Sequence, residues 1–108
     1  MKDTLSSKRF KTNVHDMGCA SNPIMELRPV TFTYAKTSHI QFGLIAEEVE
    51  QVMPELVGLD DEDKPFSVKY HDLPALLLNE LQKQAKVIED LKDRLSEIEE
   101  IITGLGGD

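Results

Sequence analysis

The sequence predicts an α+β fold: small β-hairpins with short helices, followed by a long C-terminal helix that forms a parallel trimeric coiled coil. Three observations carry that expectation. Val30, Phe32 and Tyr34 alternate with Thr31 and Thr33, and Ile40, Phe42 and Leu44 alternate again after the turn Lys36-Thr37-Ser38. Period two in a run rich in β-formers marks a half-buried strand, so the two runs read as a hairpin. Leu56–Leu59 and Phe66–Tyr70 read as a second hairpin around an acidic tip, Asp60-Asp61-Glu62-Asp63. From Pro74 to Thr103 nothing breaks a helix, and its apolar residues follow a seven-residue repeat.

The elements follow in order. Val14–Ala20 can form a helical turn or two, weakened by Gly18. Asn22-Pro23 is a start signal, a capping Asn followed by Pro in the first turn, and predicts a short helix over Pro23–Leu27. Pro29 ends it, because the residue before a proline avoids helical angles. Gly43 inside the second strand implies a bulge or a close backbone approach. Ala46–Met53 is a short helix stopped by Pro54, with Glu47, Glu48 and Glu50 in its first turns, where the helix dipole favours acids. The acidic tip lacks the alternating ligands of a calcium loop and reads as a solvated turn. Asp72 is a suitable N-cap for the last helix, and Pro74 is tolerated in its first turn.

One seam position of the long helix holds Leu81, Ile88, Leu95 and Ile102. The other holds Leu77, Gln84, Leu91 and Ile98. Steps alternating between three and four residues are the coiled-coil pattern, and Leu and Ile mixed at both positions shift the preference from two strands towards three or four. Val87 and Ile101 widen the stripe, and Gln84 sets register. Arg94 is placed to reach Glu99 of a neighbouring chain. Leu73–Leu78 is too broadly apolar for a narrow seam and is expected to pack on its own domain.

At 108 residues, with no Trp, four Phe and two Tyr, the chain can build one small core. A domain of this size gains stability from partner subunits. Net charge is −8, unevenly spread: residues 1–40 hold six Lys/Arg and three Asp/Glu, residues 41–108 six and seventeen. An acidic balance argues against a nucleic-acid partner. No run approaches the ~18 apolar residues of a membrane helix, so no membrane partner is expected. The single cysteine, Cys19, rules out an internal disulfide and reads as a buried thiol. His15, Asp16 and Cys19 lack a second cluster with ligand spacing, so no metal is expected, and no cofactor.

The chemistry concentrates in Ser6-Ser7-Lys8-Arg9-Phe10-Lys11-Thr12-Asn13. A serine needs a base before it can attack a carbonyl, and a lysine serves only when its amine is neutral. An amine of ordinary pKa, about 10.4, is neutral roughly one time in a thousand near pH 7.5. Bringing such an amine to about 7.5 costs roughly 4 kcal/mol. Burial and a neighbouring cation both act in that direction, and Arg9 can supply the cation.

This stretch resembles the start of the intramolecular chaperone domain that ends many phage tailspikes, tail fibres and neck appendages, and that also occurs in endosialidases and in myelin regulatory factor. The family pattern is Ser, an acidic residue, any residue, Arg, an apolar residue, Lys, any residue, Asn and an apolar residue. Ser6, Arg9, Phe10, Lys11, Asn13 and Val14 fill it, and Ser7 stands at the acidic position. Leu27-Arg28-Pro29-Val30-Thr31-Phe32-Thr33-Tyr34 is similar to the family's "L-x-P-V-x-F-x-Y" segment. Gly43-Leu44-Ile45-Ala46-Glu47-Glu48-Val49 is similar to "G-L-I-A-Q-E-V", with Glu47 in place of Gln. Pro54-Glu55-Leu56-Val57, Val68, Tyr70 and Leu76-Leu77 extend the likeness, which covers Ser6 to about Leu95.

The resemblance implies a trimerising chaperone that helps an upstream fibre or spike protein to fold. It then releases itself through one turnover as a serine endopeptidase, cutting at Leu5–Ser6. Ser6 is the implied nucleophile, with Ser7 an alternative, and Lys11 is the general base. Asn13 or a backbone N–H would serve the oxyanion. Arg9 would depress the lysine pKa or brace the loop through an acid such as Glu48. The implied partners are two further copies and a passenger in cis, and the implied setting is the host cytoplasm during virion assembly, with release from the mature particle. Residues 1–5 are then a residual upstream segment, 6–72 the globular auto-processing part, 73–103 the coiled coil and 104–108 a flexible tail. The alternative is a trimeric assembly or attachment module of a tail or neck appendage whose Ser-Lys pair is inert. A transcription-linked role would need a DNA-binding region, which this chain does not contain.

Overall fold

The computed structural model describes residues 5–106. Both expected hairpins form. Strands β1 (Val30–Phe32) and β2 (Gln41–Gly43) pair antiparallel, with Val30 opposite Gly43 and Phe32 opposite Gln41. They are shorter than the alternating runs, because the chain leaves the ladder into a turn in which Thr37 N–H donates to the Tyr34 carbonyl at 3.0 Å. Helix α1 (Ala46–Val52) follows and ends just before Met53-Pro54. Strands β3 (Val57–Leu59) and β4 (Pro65–Val68) form the second hairpin, with a register shift between Gly58 and Leu59. Its acidic tip is organised by Asp60, whose Oδ1 accepts from the N–H groups of Glu62 at 2.8 Å and Lys64 at 3.0 Å. Asp63 takes a left-handed backbone there, φ 60°.

The first helical segment departs from expectation. It is a continuous 3-10 helix over Gly18–Glu26, with Pro23 inside it rather than at its start. The 3-10 form hydrogen-bonds three residues back, and Asn79, Glu80 and Lys83 on the long helix hold this segment in place. Helix α2 (Leu73–Gly106) runs three residues past the expected stop at Thr103, so Gly104–Gly106 are helical rather than a flexible tail. Residues 107–108 of that expected tail, and residues 1–4 of the expected upstream segment, lie outside the described residues.

The core is small, as the composition requires. Ile24, Val49, Met53, Leu56, Val57 and Leu76 are buried together, with Met17, Leu27, Leu44, Val52, Val68 and Leu73 packed around them. They come from the 3-10 segment, α1, the turn after it that carries Met53 and Leu56, β3 and the first turn of α2, so the body closes around α1. Within Leu73–Leu78 only Leu73 and Leu76 turn inward, while Leu77 and Leu78 stay exposed. From Gln84 to Gly106 every residue is exposed. At 34 residues and 1.5 Å per residue, α2 is about 51 Å long. It gives the chain a radius of gyration of 21.1 Å, against about 13 Å for a compact domain of about 100 residues. Among the described residues no helix is long and apolar enough to cross a membrane.

Candidate functional site

Lys11 Nζ donates to Ser6 Oγ at 2.9 Å. Local backbone makes that contact. A single 3-10 turn over Lys8–Phe10 folds the chain back, with Phe10 N–H on the Ser7 carbonyl at 3.0 Å and Lys11 N–H on the Lys8 carbonyl at 3.1 Å. Ser7 is the N-cap of this turn, and its Oγ accepts from the Arg9 N–H at 3.4 Å. Arg9 lies over the Phe10 ring, its Cζ 4.5 Å from the ring centre, a cation–π arrangement. Asn13 adopts a left-handed backbone, φ 53°, which asparagine tolerates better than most residues. Every residue from Leu5 to Asp16 is exposed. Leu5, on the acyl side of the expected scissile bond, is 73% exposed. The arm therefore brings a hydroxyl and an amine together beside an accessible peptide bond, open to water.

Glu48 does not join this arm. Its carboxylate takes two hydrogen bonds from Arg28, Nε to Oε1 at 3.0 Å and Nη2 to Oε2 at 2.5 Å. The hydrogen bond to Glu48 raises the Arg28 pKa, and the same bond lowers that of Glu48. A fork of this kind satisfies both oxygens of the carboxylate, so the expected bracing of Arg9 by Glu48 is replaced by a clasp between the segment before β1 and α1.

A second cluster has no counterpart in the sequence reading. Ser21 and Glu80 are both buried. Ser21 Oγ donates to Glu80 Oε1 at 2.7 Å and accepts from Asn79 Nδ2 at 2.7 Å. Asn79 Nδ2 also reaches the Gly18 carbonyl at 3.0 Å. Lys83 Nζ bridges Glu80 Oε1 at 2.7 Å and Asn22 Oδ1. Lys83 and Ser21 together hold the Glu80 carboxyl below the ordinary glutamate value of 4.5. The cluster pins the 3-10 segment to α2. Asn79, Glu80 and Lys83 at helical spacing were the only available signal, and spacing alone does not separate a buried clasp from a solvated face. Cys19, in the same segment, is exposed rather than buried. The segment turns Ser21 and Ile24 inward, and Cys19 falls on its outer side.

Gly43 does mark a close approach. Tyr70 Oη accepts from the Leu44 N–H at 3.0 Å. A Cβ on Gly43 would lie 2.7 Å from that oxygen and 3.1 Å from Cε1 of Phe32. The seam residues Leu81, Ile88, Leu91, Leu95, Ile98 and Ile102 are all exposed on α2.

The model of the family described as chaperone of endosialidase matches residues 6–58. The match begins at Ser6 and covers the arm, both β1 and β2, α1 and the start of the second hairpin. It is shorter than the likeness read from the sequence, which extends into α2. The family suggests a chaperone or assembly role, and its name, which classes it as a peptidase, implies a self-cleaving domain of serine-peptidase type. No curated protein matches the chain.

Proposed function

We propose that this chain, a carrier of the endosialidase-chaperone domain, is a trimerising intramolecular chaperone that assists an upstream fibre or spike protein and releases itself by cutting at Leu5–Ser6. The observation that supports this reading is the Ser6 Oγ to Lys11 Nζ contact at 2.9 Å. With the amine protonated, that hydrogen bond runs from nitrogen to oxygen. Once the amine is neutral it runs the other way, and the lysine takes the serine proton.

The reaction then balances as follows. Ser6 Oγ–H gives its proton to Lys11 and bonds to the Leu5 carbonyl carbon. The Leu5–Ser6 C–N bond breaks, and the Ser6 nitrogen takes the proton from Lys11. The product is an ester between the Leu5 acyl group and Ser6 Oγ. Water hydrolyses it, leaving a carboxylic acid on Leu5 and restoring the hydroxyl.

In a single chain Lys11 is exposed. Desolvation by a neighbouring copy would favour the neutral form. Trimerisation through the α2 seam would supply that neighbour, so that cutting follows completed assembly in the host cytoplasm. The seam's exposure supports self-association, because a stripe this long rarely stays open to water.

Intact mass of the purified chain over time tests the reading. Loss of residues 1–5 in the parent chain, abolished in Ser6→Ala and in Lys11→Ala, supports it. Cutting that survives both substitutions refutes the dyad. A second reading, an inert trimeric attachment module, draws on the same exposure of Ser6 and Lys11. It requires a chain that remains full length after long incubation as a trimer.

A further inference from the structure

We infer that Ser7 is the positioning residue of the cleavage arm: its hydroxyl caps the turn that carries Lys11 back to Ser6, and it is not the nucleophile. The inference rests on the proteolytic reading above and assigns a part within it. Ser6 and Ser7 are adjacent hydroxyls, both exposed, and their hydrogen bonds separate them. Both oxygens of Ser7 are committed to the turn. Its Oγ accepts from the Arg9 N–H at 3.4 Å, and its carbonyl accepts from the Phe10 N–H at 3.0 Å. Its backbone, φ −63° and ψ 143°, is extended, as an N-cap requires. Ser6 Oγ, by contrast, has Lys11 Nζ as its hydrogen-bond partner.

The cap matters because, among the described residues, only local contacts hold the turn. No side chain from Leu5 to Asp16 is buried, so no tertiary packing fixes the angle at which Lys11 leaves it. A three-residue 3-10 turn is short and its hydrogen bonds are poorly aligned. Losing the cap leaves the Arg9 N–H to water and lets the turn open. Lys11 then samples positions away from Ser6, and the fraction of time spent in reach falls.

Aspartate separates the two roles, since it caps as well as serine and has no hydroxyl with which to attack. The test follows the loss of residues 1–5 by intact mass in the parent chain, Ser7→Ala and Ser7→Asp. It also follows hydrogen exchange of the Arg9 amide by NMR. Ser7→Ala is expected to slow cutting about fivefold, within roughly twofold to thirtyfold, and to speed Arg9 exchange. Ser7→Asp is expected to restore both. Loss of cutting in Ser7→Asp as complete as in Ser6→Ala would make Ser7 the nucleophile and overturn the inference. Unchanged cutting and unchanged Arg9 exchange in Ser7→Ala would overturn it while leaving the Ser6–Lys11 reading intact. A parent chain that never cuts overturns the proteolytic reading and the role of Ser7 with it.

Discussion

Ser21 donates to the carboxylate of Glu80 at 2.7 Å, and the two residues are 59 positions apart in sequence. This contact, with Asn79 and Lys83 beside it, joins the first helical segment to the long helix and sets how the body meets its stalk.

Acid should loosen that joint. Glu80 has a lower pKa folded than unfolded, because Lys83 and Ser21 hydrogen-bond its charged form. Such a group contributes stability above its unfolded value, near the ordinary 4.5, and loses it as pH falls through the lower folded value. Stability measured by urea unfolding is therefore expected to fall below about pH 4.5. In Glu80→Gln the same acid limb should be flatter. An identical limb in parent and variant would assign the acid sensitivity elsewhere.

Ser21→Ala should destabilise the fold by about 1–2 kcal/mol, since it removes two hydrogen bonds at a buried site. The urea midpoint should move with little change in slope. Double-mutant analysis against Asn79→Ala should reveal coupling, because the two side chains share a hydrogen bond.

Gly43→Ala is expected to cost about 1–3 kcal/mol through overpacking against the Tyr70 hydroxyl. In a Tyr70→Phe background the nearest clashing atom is gone, and the same substitution should cost measurably less. Equal costs in both backgrounds would show that Phe32, at 3.1 Å, sets the limit instead.

Asn13 can contribute through its backbone or through its amide. If the left-handed turn at φ 53° is what matters, Asn13→Gly keeps cutting and Asn13→Val loses it, at a strain of about 1–2 kcal/mol. If the amide serves the oxyanion, Asn13→Gly and Asn13→Val fall together. Rates of loss of residues 1–5 by intact mass decide between them.

The seam predicts mass in solution. The parent chain should scatter light as a trimer at micromolar concentration, with a melting temperature that rises with concentration. Ile88→Asp with Ile98→Asp should give a monomer with less helix by circular dichroism. A monomeric parent would remove the coiled coil from the proposal.

What the sequence disclosed follows from how far each signal reaches. Period-two alternation located both hairpins, and uninterrupted helix formers located α2, because these patterns are local. The pairing of Ser6 with Lys11 came from the family resemblance rather than from spacing, and one turn closes the contact. Ser7 looked like a departure from an acidic position, yet serine and aspartate are interchangeable as N-caps. The 3-10 helix over Gly18–Glu26 was misplaced because Asn22-Pro23 is a strong local start signal. The true anchor, Ser21 on Glu80, comes from a residue 59 positions later. Cys19 followed that error, since which side of a segment faces the core depends on what the segment packs against. Glu48, offered as one acid that could brace Arg9, pairs with Arg28 instead, a contact between residues 20 positions apart that the local pattern does not reveal.

The brevity of the Ser6–Lys11 loop has a consequence for timing. Contacts across so few residues open and close within about 10–100 ns, whereas subunits assemble over milliseconds to minutes. If three chains assemble as proposed, the pair meets countless times before their stalks can find one another. Mere encounter of hydroxyl and amine is far too fast to act as the clock. On the proposed reading, the interval before release is set by the slowest traveller, the neighbouring chain, and diluting the protein should lengthen it.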